Sequence, residues 1–77
     1  MTMKSQGWDL VVLSEPDYEH LVAELHFNGQ LLLLLDREQG RDSLCVAFPD
    51  RSGQLGHRIP LDEFIERVKE AAADLKR

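Results

Sequence analysis

Up to Pro60 the apolar residues tend to alternate with polar ones, and from Leu61 onward they recur with a period near 3.6. The first pattern is that of extended strands and the second that of an amphipathic helix. Trp8 to Leu13 (WDLVVL) reads as a strand that ends at Ser14-Glu15-Pro16-Asp17, where proline removes a backbone donor and suits a turn. His20 to Asp36 (HLVAELHFNGQLLLLLD) reads as two strands joined by Asn28-Gly29, the residue pair a two-residue type I′ hairpin favours. With Phe27 opposite Gln30, an unbroken register pairs Leu25 with Leu32, Ala23 with Leu34 and Leu21 with Asp36 on one face. It pairs His26 with Leu31, Glu24 with Leu33 and Val22 with Leu35 on the other. A polar connection through Gly40 leads to a further strand, Ser43 to Phe48. After the turn Pro49 to Gly53, Leu55 to Ile59 offers a short last one.

The helix stripe consists of Leu61, Phe64, Ile65, Val68, Ala71, Ala72 and Leu75, with Glu63, Glu66, Arg67, Lys69, Glu70 and Asp74 opposite. Acidic Asp62 and Glu63 sit at its positive end and Lys76 and Arg77 at its negative end. The expected fold is therefore α+β: an antiparallel β-meander of four to five strands with one C-terminal α-helix packed on one face. It forms a single domain over 1–77, with a poorly ordered tail over 1–7, the meander over 8–59 and the helix over 61–76. At 77 residues such a domain buries only about 60–65% of its unfolded surface.

Both faces of the hairpin carry leucine, and one helix can cover only one of them. The set Leu21, Ala23, Leu25, Leu32 and Leu34, with Phe27, is the more continuous and is expected to pack under Phe64, Ile65 and Val68. The other face mixes Val22, Leu31, Leu33 and Leu35 with His20, Glu24 and His26, an apolar strip with an ionisable edge, as protein interfaces have. A partner site, a weak homodimer contact and burial under the N-terminal strand and loops are the three alternatives for it.

Charge adds a direction. No Lys or Arg occurs between Ser5 and Asp36, whereas Asp9, Glu15, Asp17, Glu19, Glu24 and Asp36 all lie there, and the net charge is −5. Such an acidic half disfavours nucleic acid, whose phosphates are held mainly by Lys and Arg, and suits a basic partner. The composition is that of a folded domain, and the run Leu31 to Leu35 is too short to cross a bilayer. With no signal-like apolar segment near the N-terminus, the expected location is the cytoplasm and no membrane partner is expected. Cys45 alternates within a strand and reads as a small buried side chain.

Candidate catalytic and metal chemistry is sparse in the sequence. His20 and His26 lie about 20 Å apart on an extended chain, too far to share a zinc ion. The serines lack a nucleophile elbow, and the glycines are explained by turns. The carboxylates Asp36, Glu38 and Asp42 read as a solvated edge. No enzyme activity, cofactor or metal is expected.

The stretch YEHLVAELHFNGQLLLLLDREQG, with LCVAFPDRSG and RIPLDEFIERVKEAAADL, resembles small acidic immunity proteins of bacterial contact-dependent growth inhibition systems. The resemblance spans about residues 8 to 75. It implies stoichiometric binding and neutralisation of a cognate toxin C-terminal domain, basic and of the nuclease kind. It assigns no individual toxin-binding residue. From the residues themselves, the expected partner site is Glu15, Asp17, Glu19 and Glu24 for electrostatic steering with Val22, Leu33 and Leu35 as the apolar centre. A homo-oligomeric accessory or regulatory module without enzymatic activity is the alternative.

Overall fold

The computed structural model describes residues 2–77; Met1, the start of the expected tail, lies outside the described residues. The chain runs β1 (Thr2–Ser5), β2 (Trp8–Leu13), β3 (Val22–Phe27), β4 (Gln30–Asp36), β5 (Cys45–Ala47), β6 (Ile59–Pro60) and α1 (Leu61–Leu75). The strands form one six-stranded sheet in chain order, each antiparallel to the next, so the fold is an α+β meander closed by a C-terminal helix.

Three expectations change. First, the segment taken for a tail is a strand: Thr2 to Ser5 pair with Val11 to Trp8. Gln6 and Gly7 turn the chain with φ of 48° and 90°, and Asn28 and Gly29 do the same with 51° and 83°. Positive φ at both central residues is the type I′ geometry, which matches the right-handed twist of its flanking strands. The two turns lie side by side, since the Asn28 N–H donates to the Gly7 carbonyl at 2.8 Å. A Cβ at Gly7 would come within 2.6 Å of the Asn28 amide oxygen, the movable end of a side chain, so it is the φ of 90° that favours glycine there.

Second, the hairpin register slips. Phe27 faces Gln30 and His26 faces Leu31, but then Leu25 pairs with Leu33, Glu24 with Leu34 and Ala23 with Leu35. Leu32 is the extra residue of a β-bulge, and beyond it every β4 side chain lies on the opposite face from the one an unbroken register gives.

The front face therefore carries Trp8, Leu10 and Val12 of β2, Ala23, Leu25 and Phe27 of β3, Leu33 and Leu35 of β4, and Val46 of β5. The rear face carries Asp9, Val11 and Leu13, Val22, Glu24 and His26, then Leu31, Leu34 and Asp36, with Cys45 and Ala47. Among the described residues, the buried apolar ones are Val22, Leu34, Cys45, Val46 and Ala47, and all but Val46 belong to the rear face. The β2–β3 and β5–β6 connections lie on that side, where Tyr18 and Leu55 line one cleft together with Leu34.

Third, the helix does not lie across the hairpin. It packs against β6, the Leu61 N–H donates to the Leu44 carbonyl at 2.9 Å, and Phe64 meets Phe48 with ring centroids 5.0 Å apart. No helical residue is fully buried, and Ile65 and Val68 are 40% and 50% exposed. The expected packing of Leu21, Ala23, Leu25, Leu32 and Leu34 beneath Phe64, Ile65 and Val68 is not formed.

Candidate functional site

The register and the two covering loops build a cleft of 460 Å³ on the rear face. Its floor is Leu31 and Leu34 of β4, with Leu55 and Tyr18 from the two connections. Three carboxylic acids line it: Glu24 from β3, and Glu15 and Asp17 from the β2–β3 loop. Pro16 within that loop limits its conformations, and the Tyr18 N–H donates back to the Glu15 carbonyl at 3.1 Å, closing the turn that carries Glu15 and Asp17. On the other side Gly53, Gln54 and Leu55 are set by Asp50, whose carboxylate accepts from Ser52 and from the Gln54 N–H. Those hydrogen bonds hold the Asp50 carboxyl below its ordinary pKa.

Glu24 is held in place within the cleft. Its Oε1 lies 3.1 Å from the Nε2 of His26, two residues along the same strand face. Tyr18 is kept protonated to higher pH than usual, first by burial and then by the negative charge of Asp36. At neutral pH its hydroxyl is available as donor and acceptor. Nearby, Asp36 is 2% exposed and is gripped by Arg58, with Nε donating to Oδ2 at 2.9 Å and Nη2 to Oδ1 at 2.6 Å. The Arg58 hydrogen bonds hold the Asp36 carboxyl below the usual carboxylate range despite its burial, and the Glu38 N–H adds to this. Glu38 in turn accepts from the backbone N–H groups of Glu19 and His20, at 2.7 and 3.0 Å, and fixes the end of the β2–β3 loop.

The residues expected to share a partner site are thus divided. Glu15, Asp17 and Glu24 meet in the rear cleft. Glu19 is exposed at the loop end, and Val22 lies on the rear face but is only 2% exposed, a core residue. The bulge sends Leu33 and Leu35 to the front face, so the strip Val22, Leu33 and Leu35 is not one surface. Asp36 and Glu38, read as a solvated edge, are instead structural acceptors. Sequence reasoning missed Tyr18, Leu34 and Leu55 as cleft residues; a lone aromatic inside an otherwise polar loop was the available signal for Tyr18.

Chemically, an apolar floor with carboxylates on its walls suits an alkyl stem ending in a positive charge, as in Lys or Arg. Among the described residues no group of three or more His, Cys, Asp or Glu is placed to hold a metal ion. Likewise, no helix among them is long and apolar enough to cross a membrane. Compared with family models, curated proteins and solved structures, the chain matches none.

Proposed function

We propose that this domain is a non-catalytic protein-binding inhibitor, an immunity protein that caps a basic toxin domain, with the rear cleft as its contact site. The observation that carries this reading is the convergence of Glu15, Asp17 and Glu24 around Leu31, Leu34 and Leu55. A basic side chain from the rim of a nuclease-like substrate groove would place its stem on the leucines and its charge among the carboxylates. Arginine is the better guest, since its planar fork pairs two-fold with a carboxylate.

Electrostatics supports the same reading at longer range. The net charge of −5 and the base-free stretch from Ser5 to Asp36 give a field that draws a basic partner in, while the cleft supplies the short-range fit. The test is to search the flanking genes for a toxin domain and co-express it with this chain, followed by native mass spectrometry. An equimolar complex that loses toxin activity is expected. Recovery of the two chains as separate species, with the toxin fully active, would overturn the proposal.

A further inference from the structure

Apart from Ser5 and Gln30 at its turn end, the front face of the sheet is apolar and open. Trp8 is 42% exposed and Phe27 37%, their rings in contact with centroids 4.6 Å apart and planes tilted by 51°, and Leu10, Leu25 and Leu33 are only partly covered. The helix stripe beyond Phe64 is open too. A helix of 15 residues with nothing fully buried draws little from packing, and isolated helices of about 12–15 residues are marginal in water.

The exposed area is larger than a compact monomer should leave. A compact monomer of this mass exposes about 4,800 Å² by the usual scaling. This chain exposes 6218 Å², an excess of roughly 1,400 Å² over that scaling. Its radius of gyration is 13.6 Å, against about 11.5 Å for a compact chain of the same length. Burying that excess on each of two copies would remove about 2,800 Å² in total, within the range of obligate homodimers.

We propose that the front face and the free stripe of α1 form a two-fold interface with a second copy of this chain, the helix of each lying across the sheet of the other. Phe64 meets Phe48, one residue beyond β5, while Ile65 and Val68 of the same stripe stay 40% and 50% exposed and free to meet a second copy. The helix is about 22 Å long at 1.5 Å per residue. Strands β1 to β4, which the helix of the same chain leaves bare, span roughly 14–19 Å at 4.8 Å per strand. The strand residues named here carry no charge, so this face offers nothing to select a basic partner and matches another apolar surface. The same patch on both copies meets its counterpart, so the assembly closes at two. The rear cleft stays open in such a dimer, leaving the toxin-binding reading independent of it.

The test is analytical ultracentrifugation of the chain from about 1 to 200 μM, with helicity and Trp8 emission followed over the same dilution. Twice the chain mass of 8.8 kDa is expected at the upper end, with helical signal lost and Trp8 emission shifted to the red as the dimer dissociates. Val68→Glu, at an exposed position, should weaken the dimer at least tenfold, and Glu70→Lys, on the polar helix face, should not. A single-chain mass at every concentration would overturn the proposal, as would a trimer or larger species, or a dimer indifferent to Val68→Glu. Should Val68→Glu unfold the chain, the concentration series of the unaltered protein decides alone.

Discussion

Leu25 pairs with Leu33 rather than Leu32, and this one-residue step reassigns every later side chain of β4. Leu34 becomes a core residue at 3% exposure, while the bulged Leu32 is 37% exposed. Leu34→Ala is expected to cost about 2–5 kcal/mol, as deletion of a buried leucine does. Leu32→Ala should cost less than about 1 kcal/mol. Urea unfolding of the two variants measures both. Equal losses would mean that the bulge is absent and the unbroken register holds.

The Asp36–Arg58 pair predicts a pH dependence. Asp36 titrates below its unfolded value because Arg58 stabilises the carboxylate, so the stabilisation is fully present above the unfolded value and is lost as pH falls through the lower, folded one. Melting temperature should therefore fall as the solution is acidified below about pH 4, the unfolded carboxylate range. Arg58→Leu should lower Tm at neutral pH by more than about 5 °C, since it leaves a buried carboxylate unpaired. Asp36→Asn combined with Arg58→Leu should fall less than the two single losses added together, and scanning calorimetry of the four proteins reads this coupling.

Gly29→Val tests the hairpin turn. With φ of 83° and open space where a Cβ would project, the strain is in the backbone alone. A loss of about 1–2 kcal/mol is expected, equal to roughly 4–16 °C in Tm for a domain of this size. An unchanged melting curve would contradict the type I′ assignment.

The periodicities made much of this architecture legible. WDLVVL is β2 as it stands in the sequence, Asn28-Gly29 is the turn, and the change of period at Leu61 marks the start of α1. The bulge was not legible because Leu31 to Leu35 are identical in side chain, and a slip of one residue leaves their pattern unaltered. The Asp36–Arg58 pair joins residues 22 apart with no local signal. β1 was missed because TMKS has too little alternation to read as a strand, and Gln-Gly is a weaker turn signal than Asn-Gly. Of the candidate site, the acidic half was visible as charge, but its assembly into a cleft depends on how two loops fold over Leu34. Alternation cannot encode that arrangement.

The rear cleft separates from the front face by mutation. Leu33→Asp alters the front face and should leave the proposed capture of a toxin domain unchanged within about twofold, since mutations on opposite faces without shared partners act independently. Gln54→Lys places a positive charge on the cleft rim and should weaken the complex at least tenfold. Titration calorimetry against the toxin domain compares them.

Toxin capture by the acidic cleft is tested most directly by the association rate of the chain with that toxin domain as a function of salt, for the natural sequence and for Glu15→Gln with Asp17→Asn. Exposed charges act at long range and are screened within about 8 Å at physiological ionic strength. A rate that falls steeply with added salt is expected for the natural sequence, and a slower rate with a flatter salt dependence for the variant, the fold of both being intact. Identical rates and identical salt dependence for the two proteins would contradict capture through the cleft.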